Sequence, residues 1–127
     1  MRLLLDTHTF LWFIGGDRQL SVAARRLIED ERNTRYLSIA SAWEIAIKVG
    51  VGKLDLRMPL AAFWEQIPGN GVILVSIGIE QLSVVAELPL HHRDPFVRLL
   101  IAQALAERLS IISADTLFDA YPITRLW

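Results

Sequence analysis

Four acidic residues hold positions from which one reactive site could be built. Asp6 closes the apolar run "LLL" at 3–5, and Asp115 closes "IISA" at 111–114. Glu44 ends the stretch "SAWE" at 41–44, and Asp94 precedes a proline in "HHRDPFVRLLIAQAL" at 91–105. Carboxylates brought close together repel, and each then resists ionising. A divalent cation removes that conflict. An all-oxygen donor set suits Mg²⁺ or Mn²⁺ rather than zinc. A cation so held can polarise a phosphoryl oxygen and lower the pKa of a bound water, which is the chemistry of phosphodiester hydrolysis. Lys48, His92, Arg93 and Arg98 are the candidates for contacts with a phosphate backbone.

Each of these residues also has a purely structural reading. A strand-terminal aspartate can simply close a turn. "SAWE" fits the S-x-x-E capping box, in which Glu44 would reach back to the amide of Ser41. Asp94 followed by Pro95 reads as a helix N-cap with proline at the first helical position. His91 and His92 fit a solvated loop, and the basic residues fit exposed charge. Val97 heads an apolar stripe with residues 100, 101, 104 and 105, so it reads as packing.

The elements that must position these side chains alternate strand and helix. "LLLD" at 3–6 reads as a buried strand, followed by a helical piece, "HTFLWFI", that "GGD" breaks. Ser21 caps a helix through Leu27 and Ile28. "RYLSIA" at 35–40 reads as a strand, and Ser41 opens the helix "AWEIAIKV". "GVGKLDLRMP" is rich in turn residues, and a short helix follows near 60–67. "GVILVSI" at 71–77 is the clearest strand in the sequence, bounded by glycines and β-branched. "IEQLSVVAEL" is an amphipathic helix, and another runs from Pro95 to about Arg108. "SIISAD" at 110–115 and "ITRLW" are the last strands. This alternation predicts an α/β chain, a parallel sheet covered on both faces. In such a sheet function gathers at the carboxyl ends of the strands, where Asp6 and Asp115 fall. Glu44 and Asp94, near helix starts, project toward the same edge.

Length and composition set the frame. The 127 residues suit one domain, 1–127, with no repeat or linker. No apolar run spans a bilayer, and Asp6 interrupts "MRLLLD" too early for a signal peptide, so a soluble, cytoplasmic protein is expected. The absence of cysteine rules out disulfides and thiolate metal sites. A net charge of −1 gives no general attraction to nucleic acid, so any such contact must be local or metal-mediated. The 53% hydrophobic composition, with four tryptophans, suggests aromatic surface shared between core and interface.

Four ordered blocks of the chain, "LLLDTHTFLWF", "SIASAWEIAIKVGVGKL", "LPLHHRDPFVRLLIAQALAE" and "SADTLFDAY", resemble the PIN-domain ribonucleases. More narrowly they look like the VapC-type toxins of bacterial toxin–antitoxin pairs. The resemblance covers nearly the whole chain. It implies a PIN-like α/β/α sandwich with a central parallel sheet of four to five strands. It further implies Mg²⁺- or Mn²⁺-dependent cleavage of RNA, a homodimer, and a small antitoxin as partner. The family's acids fall on Asp6, with Thr7 as its small polar neighbour, on Glu44, and on Asp115, with Ser113 as the hydroxyl. One acid departs. The block that usually reads D-P-F-D-R carries Val97 at its second acidic position, and Asp94 matches the cap rather than the usual ligand. Asp94 lies on the same side of the helix start and is the nearest substitute.

The leading expectation is therefore a metal-dependent endoribonuclease toxin whose activity is weakened or lost at Val97. The alternative is a PIN-fold module that binds antitoxin or RNA without cutting. A third reading, a phosphoacceptor receiver-like domain, also clusters aspartates at strand ends but lacks a clear acceptor Asp and switch Lys here.

Overall fold

In the computed structural model, which describes residues 1–127, Leu3, Leu4 and Leu5 are all fully buried. They form β1 (Arg2–Leu5), the central strand of a five-stranded sheet. The others are β2 (Thr34–Ser38), β3 (Val72–Val75), β4 (Ser110–Ile112) and β5 (Arg125–Leu126). The order is β3-β2-β1-β4-β5 and every pairing is parallel. The chain thus winds outward from β1 to β3, then returns to the other side of β1. The point where it reverses lies between β1 and β4, where open α/β sheets form their crevice.

Six helices cover the sheet: α1 (Thr7–Gly15), α2 (Val22–Glu29), α3 (Ile39–Gly50), α4 (Leu60–Gly69), α5 (Ile79–Glu87) and α6 (Pro95–Glu107). The period-two alternation of β1 sorts them. Leu3 and Leu5 join Phe10, Ile28, Ile45, Phe63 and Ile67, so α1, α2 and α4 lie on one face with part of α3. Leu4 joins Leu100, Ile101, Ala104 and Phe118 on the other, where α6 packs and α5 packs on α6. This is the α/β/α sandwich expected, with five strands.

Three local features differ from the sequence reading. The helix carrying Glu44 begins at Ile39, with Ser38 rather than Ser41 as its cap; Ser38 Oγ accepts from the Ala40 amide at 3.0 Å. The capping box at 41–44 is thus absent, and Glu44 is the sixth residue of α3, not part of its first turn. The sheet register decides this, because β2 pairs with β3 only as far as Ser38. The clearest strand of the sequence is only four residues long and lies at a sheet edge, leaving Ile73 and Leu74 exposed. A 3₁₀ turn, Thr116–Ala120, follows Asp115 in a stretch to which the sequence reading assigned no element. No helix is long and apolar enough to cross a membrane.

Candidate active site

Parallel pairing of β1 with β4 places their carboxyl ends side by side, and the two strand-end aspartates with them. Asp6 caps α1: its Oδ1 accepts the Thr9 amide at 2.8 Å. Its Oδ2 accepts a hydrogen bond from the Ser113 hydroxyl at the end of β4. The same Ser113 oxygen accepts the Asp115 amide at 3.0 Å, so one buried serine ties both acids to the sheet edge. Asp115 caps the 3₁₀ turn through Oδ1, which accepts from the Leu117 amide at 2.9 Å. Thr9, wholly buried, locks α1 to β4 through a 2.9 Å bond to the Ile112 carbonyl.

Glu44 arrives from α3. The Thr7 hydroxyl donates to its Oε1 at 2.7 Å, and the hydroxyls of Thr7 and Ser41 are 2.9 Å apart. Ser41 is buried at this junction, a role the sequence hid because its spacing to Glu44 mimics a cap. Lys48, one helical turn on, pairs with Oε2 at 2.8 Å. Asp94 caps α6 as expected, its Oδ1 accepting from the Phe96 amide at 2.8 Å.

These residues line one cleft of about 150 Å³. Asp6, Glu44, Asp94 and Asp115 contribute four carboxylates, and no lysine or arginine lines it. Thr7, His8 and His92 add polar atoms, while Phe96, Val97, Leu100 and Phe118 form its apolar wall. Val97 both lines the cleft and packs against the Leu4–Leu100 core. His8, two residues beyond Asp6, is a lining residue the sequence reading passed over. A position in the first turn after a strand-end acid was the available signal.

The donor set fits a hard divalent cation in kind: oxygen donors carrying excess negative charge in one cleft. In the conformation seen, no three His, Asp or Glu side chains are gathered closely enough to hold one ion. Each carboxylate of the set is engaged by a local donor, while Asp115 Oδ2 accepts no hydrogen bond.

The basic residues separate sharply. Arg93 is exposed and lies outside the cleft lining. Arg98 is not available as an RNA contact. Its guanidinium is buried and donates to the carbonyls of Val85, Leu88, Pro89 and His92 at 3.0, 3.1, 2.9 and 3.3 Å. It therefore fastens the end of α5 and the loop that follows it. Near the site, Arg125 bonds Asp119 at 2.9 Å and the Ser113 carbonyl at 3.1 Å. Hydrogen bonding to Arg125 holds the Asp119 carboxyl below its ordinary value, with burial opposing and the arginine charge reinforcing. That clamp keeps the 3₁₀ turn closed on β4 just beyond Asp115.

A model of one protein family, the PIN domain, matches residues 3–123. Among solved structures, the chain is similar to the crystal structure of VapBC2 from Rickettsia felis bound to a DNA fragment from their promoter. The TM-score is 0.70 at 15% identity, covering 99% of this chain and 98% of that one. It is also similar to a toxin–antitoxin complex from Klebsiella pneumoniae, with a TM-score of 0.68 at 15% identity, covering 98% of this chain and 96% of that one. These likenesses extend the fold over nearly the whole chain. No curated protein matches it in sequence.

Proposed function

The chain belongs to the PIN domain family, and from that premise we propose that it is a VapC-type endoribonuclease toxin, weakened or silenced by Val97. The observation that carries this reading is the convergence of Asp6, Glu44 and Asp115 from three separate elements on one cleft without a lysine or arginine in its lining. When bound there, Mg²⁺ or Mn²⁺ would polarise the scissile phosphate and lower the pKa of an attacking water. Asp6, at the centre of the edge, is the principal candidate ligand, with Asp115 and Glu44 beside it. Ser113 orients Asp6 through its Oδ2, and Thr7 orients Glu44 through its Oε1. Lys48 offsets part of the Glu44 charge. Asp94 lines the same cleft as Val97, three residues before it, but one of its oxygens is committed to the α6 amide.

Asp6→Asn tests the site, because it keeps the shape and removes one charge. Mn²⁺ affinity measured by calorimetry is expected to fall at least about tenfold, given the charge removed from a carboxylate site. Unchanged Mn²⁺ binding would remove the metal site from this cleft. A second reading, a PIN module that binds but does not cut, is favoured by Val97 itself. It predicts retained RNA or antitoxin binding and no EDTA-sensitive cleavage of total RNA by the wild-type chain.

The proposed partners are an antitoxin and a second copy of the chain. Both structural neighbours are toxin–antitoxin assemblies. A groove of about 750 Å³ runs beside the acid cleft between α1 and the 53–58 loop, sharing His8 with it. The proposed antitoxin segment would lie there, with aromatic anchors and a basic residue directed at the acids. A separate, wholly apolar groove lies among Ile39, Ala42, Trp43, Trp64, Ile67 and Leu74, next to the open edge of β3. Trp43 in it is 58% exposed, more than an isolated fold has reason to leave in water. Light scattering is expected to give a dimer at roughly tens of micromolar, where weak specific dimers form. Trp43→Glu should shift that equilibrium to monomer. A monomeric wild type at that concentration would end the dimer proposal.

A further inference from the structure

His92, in the lining of the acid cleft, is held through its backbone and its ring. Its amide donates to the Tyr121 hydroxyl at 2.9 Å, and that hydroxyl donates on to the Pro89 carbonyl at 2.8 Å. Its carbonyl accepts from the buried Arg98 guanidinium. The imidazole is fixed too: Nδ1 lies 3.1 Å from the backbone amide of Asp94. An amide nitrogen can only donate, so Nδ1 must accept, and the ring proton of the neutral form sits on Nε2. Nε2 points toward Asp115 Oδ2 at 3.9 Å, beyond hydrogen-bond reach. The side chain is 15% exposed and lines the cleft, and its Nε2–H makes no hydrogen bond within the protein.

The rest of the lining is four carboxylates, the Thr7 hydroxyl, an apolar wall and His8, whose exposed ring lies 5.7 Å from that of Trp12. The Thr7 hydroxyl is spent on Glu44, Lys48 is paired outside the lining, and Arg98 is enclosed by carbonyls. An RNA phosphate entering the cleft would meet negative charge with no lysine or arginine in the lining. We propose that His92 is a substrate-contacting donor of this site: its Nε2–H bonds a non-bridging phosphate oxygen and seats the RNA backbone between Asp115 and Val97. The apolar side chain at 97 leaves one fewer negative charge opposing that phosphate. The same tautomer argues against His92 as a metal ligand, since Nε2 carries a proton where a ligand needs its lone pair. This inference rests on the ribonuclease reading above and names the group that would hold its substrate.

The test is binding, read apart from turnover. Fluorescence anisotropy with a short single-stranded RNA, its integrity checked afterwards on a gel, gives the affinity. His92→Ala is expected to weaken binding about tenfold or more, the loss of one hydrogen bond to a charged oxygen. His92→Gln, which keeps an N–H at similar reach, should lose less. Unchanged affinity in His92→Ala, with the wild type binding RNA, overturns the proposal and leaves the ribonuclease reading standing. A wild type that binds no RNA overturns both. Long-range ¹H–¹⁵N spectra of the wild-type imidazole supply a readout independent of variant folding. They should report the Nε2–H tautomer, with that proton's resonance moving on RNA addition. An Nδ1–H tautomer would overturn the assignment.

Discussion

Replacing Val97 with aspartate is expected to raise Mg²⁺-dependent cleavage of RNA by about 10²-fold or more, the usual contribution of a positioned group that activates water. Val97 lies in the first turn of α6, beyond the Asp94 cap, and its side chain lines the same cleft as the four carboxylates. A carboxylate there gains about 0.3–1 kcal/mol from the helix N-terminus. Against this, it gives up the valine's packing on the Leu4–Leu100 core and adds a fifth negative group to the cleft. Without a cation the variant should therefore melt below the wild type, and Mn²⁺ should raise its melting temperature more. The measurement is cleavage of total RNA by the two proteins at equal concentration, with and without EDTA. Host toxicity during expression without antitoxin should accompany the gain. Equal, EDTA-sensitive rates would sink this expectation, and would mean that Asp94 or another group already does the work of the absent carboxylate.

Arg98→Ala should be the most damaging single change outside the hydrophobic core. The guanidinium makes close bonds to three carbonyls at the end of α5 and in the loop after it, and a longer one to His92. Bonds from a charged donor contribute about 1.5–3 kcal/mol each, and their loss leaves half-buried carbonyls without partners. A total cost of about 3 kcal/mol or more follows, which for a chain of this size lowers the melting temperature on the order of 10 °C. Arg98→Lys should recover only part of this, because an ammonium cannot reproduce the planar fork. Thermal unfolding followed by circular dichroism reads the effect, and hydrogen exchange should show the 88–94 segment opening first. A variant melting within about 2 °C of the wild type would mean that water replaces the guanidinium without loss, against the expected cost of unpaired buried groups.

The placement of Asp6 and Asp115 was legible because it needs only two facts. An apolar run ending in an acid reads as a strand, and parallel strands present their carboxyl ends on one edge. Asp94 was legible for a similar reason: an Asp-Pro pair ahead of an apolar stripe is a local signal that needs no tertiary contact. Glu44 was found for a partly wrong reason. Ser38 and Ser41 are both eligible caps, and local sequence does not choose between them. Pairing of β2 with β3 ends the strand at Ser38 and gives that serine the cap, leaving Ser41 free to meet Thr7.

By itself the sequence determined the alternation of strand and helix, the parallel sheet between two helical layers, the acids at its edge, and the valine where the family pattern has a carboxylate. The first three follow from periodicity and strand-end residues, carried by near neighbours in the chain, and the last is what the resemblance to the family implies. Only the tertiary structure decided which polar groups face the cleft. Arg93, Arg98 and His92 lie within seven residues of one another and look interchangeable as basic side chains. Folding exposes the first, encloses the second in carbonyls from α5 and its following loop, and pins the third by the Asp94 amide and Tyr121. Tyr121 is 29 residues from His92, and Val85 is 13 from Arg98. A polar side chain's role is set by the partners that reach it, and those partners come from elements whose approach is fixed only when the core closes.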